Sequence, residues 1–189
     1  MDGTTAFWES TTLDNYELHA WMTVSGGYEY LFEVDGWSSD AEPVSFNVAI
    51  EHQPITDAYE RNDSWEEAPI ISGTIHGMLH AGYESSGVCS EDYDDWYTYK
   101  SSGKPLEVAL TDVPEDILAG IEIWDPSDME WTATWESAWE PSMDVSVNFD
   151  PDHSGDYLIR VQAYGPYAHG TGDIPESFTQ PYTLSVSTN

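Results

Sequence analysis

Apolar and polar residues alternate with a period of two along most of the chain after its first third. The alternation is clearest over residues 121–123, 145–149 and 182–186, where every second residue is apolar. This pattern is typical of antiparallel strands that place one face on a core and the other in solvent. No segment carries a 3.6-residue apolar stripe over twelve residues, so the pattern predicts strands rather than helices.

Turn-forming residues separate the predicted strands. Segments 101–103, 125–128 and 151–155 are rich in Gly, Pro, Ser and Asp, which end regular structure. Residues 64–68 predict one helical turn with Ser64 as its cap. Further strands are predicted upstream, at roughly 71–76, 95–100 and 105–111. The predicted class is all-β, a sandwich or a barrel, with an antiparallel β-sandwich of the jelly-roll type as the favoured architecture.

Part of this pattern occurs twice. Residues 154–161 contain a Ser-Gly-Asp-Tyr strand that resembles residues 25–34, which begin Ser-Gly-Gly-Tyr. Each copy is followed by a polar loop and a closing strand, at 44–50 in the first copy and 182–186 in the second. The first copy lacks the upstream strands of the second, so it corresponds to the C-terminal half of a sandwich.

The repeat predicts two domains of unequal completeness. Residues 1–53 form a partial β-sandwich in this interpretation, and residues 54–189 form a complete one. A half-sandwich exposes strand edges and an apolar face. It would pack against the complete domain, be the remainder of a domain that has been cut short, or take its missing strands from a neighbouring chain.

The charge is the most unusual property of the composition. The chain has 36 acidic residues and four Lys or Arg residues, for a formal net charge of −32. Such a surface repels nucleic acid and anionic lipid and attracts cations. It predicts a salt-rich (halophilic) or calcium-rich setting outside the cell. No apolar run reaches 18 residues, so membrane insertion is not expected.

Signals for catalysis are weak. A Gly-x-Ser-x-Gly elbow is absent, and the single cysteine, Cys89, lies beside Glu91 and Asp92, which disfavour a thiolate. His76 and His80 have the i, i+4 spacing of a helical zinc pair, but Gly77 between them favours a strand or loop. Acidic residues are so abundant that no pair of them is informative. The chain is therefore predicted not to be an enzyme.

From Glu60 onward, the chain carries an ordered set of short motifs. The set comprises Glu-x-Asn-Asp at 60–63, Ala68, an apolar strand ending at Gly73, an Asp-rich turn into Trp-Tyr at 92–97, Leu-x-Val-x-Leu at 106–110, Ser-Gly-x-Tyr at 154–157 and Tyr-x-Leu-x-Val at 182–186. It resembles the bacterial and archaeal pre-peptidase C-terminal domain family, which is related to the collagen-binding domains of bacterial collagenases. Two departures are Arg61, where the family has Pro, and a long loop before Glu91.

The resemblance implies a calcium site. Its ligands, carried over motif by motif, would be Glu60, Asn62, Asp63, Asp92 and Asp95. Calcium binds six to eight oxygens, and clustered carboxylates repel one another unless a cation lies among them. Ala58 stands where relatives have a further Glu, so either Asp57 substitutes for it or the site loses a ligand. If the segment is extended, Asp94 points away from Asp95. A solvated acidic turn without metal remains the alternative.

Aromatic residues indicate a partner surface. The candidate interface residues are Trp8, Trp21, Tyr28, Tyr30, Trp37, Trp131, Trp135 and Trp139. Trp and Tyr stack on sugars and form protein interfaces, but core packing is the alternative for each of them. In residues 1–53 an interface is favoured, because half a sandwich has little interior.

These observations predict a non-catalytic, calcium-stabilised extracellular or cell-surface β-sandwich. It would be a structural or adhesive subunit of a surface or filament, joined by self-association, including strand complementation, or by contact with a neighbouring domain of a larger secreted protein. One alternative is an accessory binding or secretion domain of a secreted peptidase. Another is a carbohydrate-binding module that recognises an extracellular polymer or glycan.

Overall fold

The structure is a computed structural model. It describes residues 21–22, 47–50, 57–79, 88–89, 94–166 and 176–188. The chain separates into two compact units, one of Met1–Thr23 with Asp57–Asn189 and the other of Val24–Thr56. The predicted domains, 1–53 and 54–189, stay a prediction.

In the smaller unit, the described residues are 47–50. They form no strand, and Val48 and Ile50 are 58% and 67% exposed. The strand predicted over 44–50 is therefore wrong over its described part. Both side chains would lie on the same face of such a strand, and neither is covered as a half-buried strand requires.

The larger unit carries the strands. The described residues contain β1 (Trp21–Met22), β2 (Ile70–Ile71), β3 (Thr74–Gly77), β4 (Val88–Cys89), β5 (Asp94–Ser101), β6 (Leu106–Thr111), β7 (Ile117–Asp125), β8 (Asp128–Ser137), β9 (Val145–Phe149), β10 (Gly155–Pro166) and β11 (Tyr182–Thr188). Helical structure in this part of the chain is confined to a 3-10 turn at Glu176–Phe178. None of it is long and apolar enough to cross a bilayer.

Two sheets form the sandwich. The five-stranded sheet has the order β2-β5-β10-β7-β8, and the four-stranded sheet has the order β3-β11-β6-β9. Their neighbouring strands are antiparallel except for β2 and β5, which are parallel. A separate parallel pair joins β1 to β4. The predicted all-β, antiparallel-dominated sandwich is confirmed.

The core lies between the two sheets and follows the period-two pattern. In β6, Leu106, Val108 and Leu110 are buried while the residues between them are half-exposed. The same alternation buries apolar side chains of β9 and β11. Each fully buried aliphatic side chain contributes about 1.5–3 kcal/mol. Burial of these side chains therefore fixes the register, because a slip of one residue would turn them to the solvent.

The turn predicted at 125–128 joins β7 to β8. Both the backbone N–H and the hydroxyl of Ser127 donate to Oδ1 of Asp125, at 2.8 and 2.6 Å, which is an Asx turn. The helical turn predicted at 64–68 is a single turn in which the Glu67 N–H donates to the Ser64 carbonyl oxygen at 3.1 Å. β8 itself was not among the predicted strands.

Candidate functional site

The segment before β2 lies along β5. The Trp96 N–H donates to the Asn62 carbonyl oxygen at 2.8 Å, and the Thr98 N–H donates to the Pro69 carbonyl oxygen at 2.8 Å. These hydrogen bonds place the Glu-x-Asn-Asp segment beside the first residues of β5. Asn62 and Asp95 are both fully buried there.

Asp95 is held by two tyrosine hydroxyls. Tyr182 donates to its Oδ2 atom at 2.5 Å, and Tyr97 donates to the same oxygen at 3.4 Å. The two tyrosine hydroxyls are 2.5 Å apart. Gly77 allows this arrangement, because a Cβ at that position would overlap both phenol groups. We name Asn62, Asp95, Tyr97 and Tyr182 the polar corner.

The polar corner favours protonated phenols. Burial, followed by the charge of Asp95, raises the pKa of Tyr97 well above its usual value, and the charge of Asp57 acts in the same direction. Burial and Asp95 likewise raise the pKa of Tyr182. Both hydroxyls therefore keep their protons.

The Asn62 amide is buried without a hydrogen bond. Neither its Oδ1 nor its Nδ2 atom has a partner in the described structure. It lowers the pKa of the Tyr97 hydroxyl, the weakest of the influences on that group, but the geometry falls short of a hydrogen bond. A buried polar group without a partner costs about 1–3 kcal/mol. The Asn62 amide oxygen is thus an unused acceptor that could act as a ligand for a cation.

The predicted calcium ligands are only partly brought together. Asn62 and Asp95 lie in the polar corner, whereas Glu60 and Asp63 are exposed. Asp92 lies outside the described residues. Within the described ranges, no three His, Cys, Asp or Glu side chains converge as metal ligands would. The five-residue calcium set therefore stays a prediction, with Asn62 and Asp95 as its buried members.

Asp57 is engaged by the backbone. Its Oδ1 accepts from the Tyr59 N–H at 2.7 Å, and its Oδ2 accepts from the Met78 N–H at 2.6 Å. The side chain therefore fastens the opening segment to the end of β3. Its charge reaches the Tyr97 hydroxyl, so Asp57 lies near the polar corner, as a substitute ligand would.

Asp94 points away from Asp95, as predicted for an extended segment. It lies on the outer face of the five-stranded sheet, where its Oδ2 accepts from Nη2 of Arg160 at 2.6 Å. Nη1 of Arg160 donates to Oε2 of Glu122 at 3.1 Å. Partial burial opposes the charge on Arg160, but the two carboxylates outweigh it and raise the pKa of the guanidinium.

A row of four side chains crosses this outer face. The strand register places Trp96 beside Arg160, Arg160 beside Glu122, and Glu122 beside Trp135. The Arg160 guanidinium carbon lies 5.3 Å from the centroid of the Trp96 ring, which is a cation–π contact. We name these four residues the cross-strand row.

The structure describes the exposure of two predicted interface aromatics. Trp135 is 61% exposed and Trp139 is 77% exposed. Trp21 lies in β1 and Trp131 in β8, but their side chains are outside the described part of the structure. The other candidates, Trp8, Tyr28, Tyr30 and Trp37, lie outside the described residues altogether.

Sequence reasoning missed the rest of the outer face. Trp96, Trp124 and Arg160 were not among the candidate residues, although the Trp96 and Trp124 rings lie 6.1 Å apart. A usable signal exists for Trp96: if Asp95 and Tyr97 face the core, their neighbour must face outward. No comparable signal joins Arg160 to its partners, which are 38 and 66 positions away.

Comparison with known proteins yields similarity to solved structures only. No family model and no characterised protein sequence matches the chain. A pre-peptidase C-terminal domain of collagenase from Bacillus anthracis is 23% identical, with 64% of this chain and 93% of that chain covered and a TM-score of 0.40. At this level of similarity, family membership stays a prediction from the motifs.

Two other solved structures are similar at lower identity. CorA, a surface-associated copper-binding protein of Methylomicrobium album BG8, is 13% identical, with 65% of this chain and 98% of that chain covered and a TM-score of 0.42. PliG of Aeromonas hydrophila, a periplasmic inhibitor of g-type lysozyme, is 14% identical, with coverages of 65% and 95% and a TM-score of 0.36. These values carry no inference about activity.

Proposed function

We propose that this chain is a non-catalytic, calcium-stabilised extracellular β-sandwich that serves as a structural or adhesive module by binding other proteins. The observation that carries the calcium part is the buried Asn62 amide, whose Oδ1 atom has no hydrogen-bond partner, beside the buried carboxylate of Asp95. An amide oxygen and a carboxylate are both ligands that calcium prefers.

Calcium would offset the negative charge of its acidic ligands and would take no part in a reaction. Asn62 and Asp95 would hold it, with Glu60, Asp63 and Asp92 as the further ligands that the family resemblance implies. Asp57 and Asp95 both lie near enough to the Tyr97 hydroxyl to raise its pKa, so two acidic side chains stand close to where a cation would bind. A bound cation would favour the folded state by the free energy of binding.

Two acidic side chains in the described part of the larger unit are buried. Asp95 and Asp116 are fully or almost fully buried. Asp116 accepts hydrogen bonds from the backbone and the hydroxyl of Ser177, at 2.9 and 2.7 Å, which fixes the 3-10 turn. Both carboxylates therefore support the fold.

The binding role is supported by the exposed indoles of Trp135 and Trp139. Large exposed apolar side chains are enriched where proteins meet partners. A carbohydrate-binding module is the second candidate, because exposed Trp rings also stack on sugars. Strand complementation by residues 1–53 and an accessory role beside a peptidase remain hypotheses that rest on the repeat and the family resemblance.

Thermal melting in calcium tests the proposal. At a calcium concentration of 100 times the dissociation constant, binding adds about 2.7 kcal/mol, which for a chain of this size raises Tm by about 5–10 °C. Magnesium at the same concentration is the control, because any divalent cation screens a net charge of −32. Equal Tm values in calcium and magnesium would contradict the calcium site.

Variants then locate the site. Asp63→Asn and Asp95→Asn are each expected to reduce or abolish the calcium-specific rise in Tm. Asp156→Asn is the matched control, because Asp156 is an exposed acid of β10 whose replacement changes the net charge by the same amount. A calcium-specific rise that survives Asp95→Asn would remove Asp95 from the ligand set.

A further inference from the structure

We propose that Trp135 and Trp139, at the β8 edge of the five-stranded sheet, bind arginine or lysine side chains of an extended basic segment of a partner protein. The inference deepens the proposed function, on which it rests only in taking the chain to be a protein-binding module. It needs no calcium, because the polar corner contributes none of its residues.

The cross-strand row contains a precedent for this binding mode. At one end of the row, Arg160 covers the face of Trp96 while its guanidinium is held by Asp94 and Glu122. At the other end, Trp135 stands beside Glu122 in the same register. The row thus runs from an indole through a cation and an anion to a second indole. A cation from a partner, placed on the side of Trp135 away from Glu122, would add a second indole–cation contact to the row.

Among the described strands, the hydrogen-bonding edge of β8 away from β7 is unpaired, although part of β8 lies close to β9 of the other sheet. β8 is the last strand of the five-stranded sheet and pairs with β7 alone. An edge strand presents N–H and carbonyl groups that an extended peptide can pair with. Trp135 is 61% exposed on this strand, and Trp139 is 77% exposed just beyond it.

The charge of the chain determines the occupant. Glu140 is an exposed neighbour of Trp139 and would attract a basic segment, whereas Glu136 pairs with Ile121 and so lies on the other face of β8 from Trp135. The whole chain has four Lys or Arg residues against 36 acidic residues, so it has few cations of its own to offer. A second copy of the chain would also carry a net charge of −32, and electrostatic repulsion between the two copies opposes its docking here.

Dependence on the two indoles distinguishes specific binding at this site from general electrostatic attraction to an acidic surface. An acidic surface concentrates any polycation, with little dependence on one aromatic residue. A cation–π contact depends on the ring itself, and its loss weakens binding by about two-fold to thirty-fold, according to how well the contact is desolvated. The contribution of Trp135 is therefore the deciding measurement.

Fluorescence anisotropy of a labelled peptide in 150 mM NaCl tests the proposal. The probe is an eight-residue peptide that alternates arginine and serine, and the control peptide alternates glutamine and serine. The full-length chain should bind the arginine peptide and not the glutamine peptide. Trp135→Ala and Trp139→Ala should each raise Kd about five-fold or more, and the double variant should raise it further.

Trp65→Ala is the matched control, because Trp65 is 47% exposed on the turn at 64–67, away from β8. It should change Kd by less than two-fold. Near-UV circular dichroism and a melting curve confirm that each variant is folded. The titrations are repeated with chelator, so that failure of the calcium site, seen in Tm, is distinguished from failure of the peptide site, seen in Kd.

Three outcomes would overturn the proposal. In the first, Trp135→Ala, Trp139→Ala and the unaltered chain bind the arginine peptide equally, which would mean that bulk charge attracts it. In the second, the arginine peptide shows no binding at millimolar concentration. In the third, cellohexaose binds and loses affinity in Trp135→Ala while the peptide does not bind, which would make the surface a carbohydrate site.

Discussion

The outer faces of the two sheets differ in kind. The four-stranded sheet turns small or polar side chains outward, namely Thr74, His76, Glu107, Ala109, Ser146, Asn148, Thr183 and Ser185. The five-stranded sheet turns Trp96, Trp124, Leu158 and Arg160 outward. On that sheet Trp96 is 9% exposed and Leu158 is 4% exposed, although both lie on the side away from the core.

The two faces differ in how far their side chains are fixed by contacts with one another. On the four-stranded face the polar groups are solvated, and the contact between His76 and Thr183, at 3.0 Å, is exposed. On the five-stranded face the side chains cover one another, and Arg160 is fixed between two carboxylates. A face that is already ordered loses less entropy when a partner binds, which agrees with the binding site proposed at its β8 edge.

The largest expected effect comes from removing the cation of that face. Arg160→Met leaves Asp94 and Glu122 without their shared partner. Loss of one member of a buried ion pair costs about 3–5 kcal/mol, and partial exposure reduces the expected loss here to about 2–3 kcal/mol. Urea unfolding at pH 7 measures it. Lys100→Met makes the same change in net charge at an exposed position and should cost less than about 0.5 kcal/mol.

The next effect tests the contact between the sheets. Tyr182 of the four-stranded sheet donates to Asp95 of the five-stranded sheet, and Tyr182→Phe removes that donor. Hydrogen bonds to charged groups contribute about 1.5–3 kcal/mol, so the variant should lose about 2 kcal/mol in urea unfolding. Tyr157→Phe, which loses only 3.3 Å contacts with His153, is the control. An equal loss in the two variants would contradict the role of Asp95.

A smaller effect depends on pH. Hydrogen bonds from Ser127 lower the pKa of Asp125, so ionised Asp125 stabilises the folded state above its unfolded pKa of about 3.9. That contribution is lost as pH falls through the lowered, folded pKa. Ser127→Ala should therefore cost about 0.5 kcal/mol at pH 7 and nothing once Asp125 is protonated. A loss that is the same at pH 7 and at pH 2 would contradict this assignment.

The smallest effect is expected on the four-stranded face. His76→Ala removes the exposed contact with Thr183 and should change the free energy of unfolding by less than about 0.5 kcal/mol. The same urea experiment measures it. A loss as large as that of Arg160→Met would erase the difference between the two faces.

The strands of the sandwich could be predicted because their alternation is local. β6, β9 and β11 follow directly from buried residues at every second position. β8 was missed because its Trp residues were interpreted as an aromatic series, and because a register shift between Ile123 and Trp124 interrupts the period of two along its pairing with β7. The predicted strand at 44–50 shows the converse error over its described residues 47–50, which alternate in polarity but form no strand and leave Val48 and Ile50 exposed.

The candidate site was less predictable because it depends on the sheet order. The motifs placed Asn62 and Asp95 in one ligand set, and the hydrogen bond from the Trp96 N–H to the Asn62 carbonyl oxygen holds their segments side by side. Tyr182 could not be assigned to the same corner, since it is 87 positions from Asp95 and pairs with it only because the two sheets face each other. The ligand set stays a prediction for the same reason.

The turn at the far end of β5 has a practical consequence for immobilising the protein. Both lysines of the chain, Lys100 and Lys104, flank that turn and are exposed. Six residues of extended strand, about 20 Å, separate it from Asp95. Coupling through lysine amines would therefore tether the sandwich by this end and leave the opposite end accessible to analytes on a sensor surface.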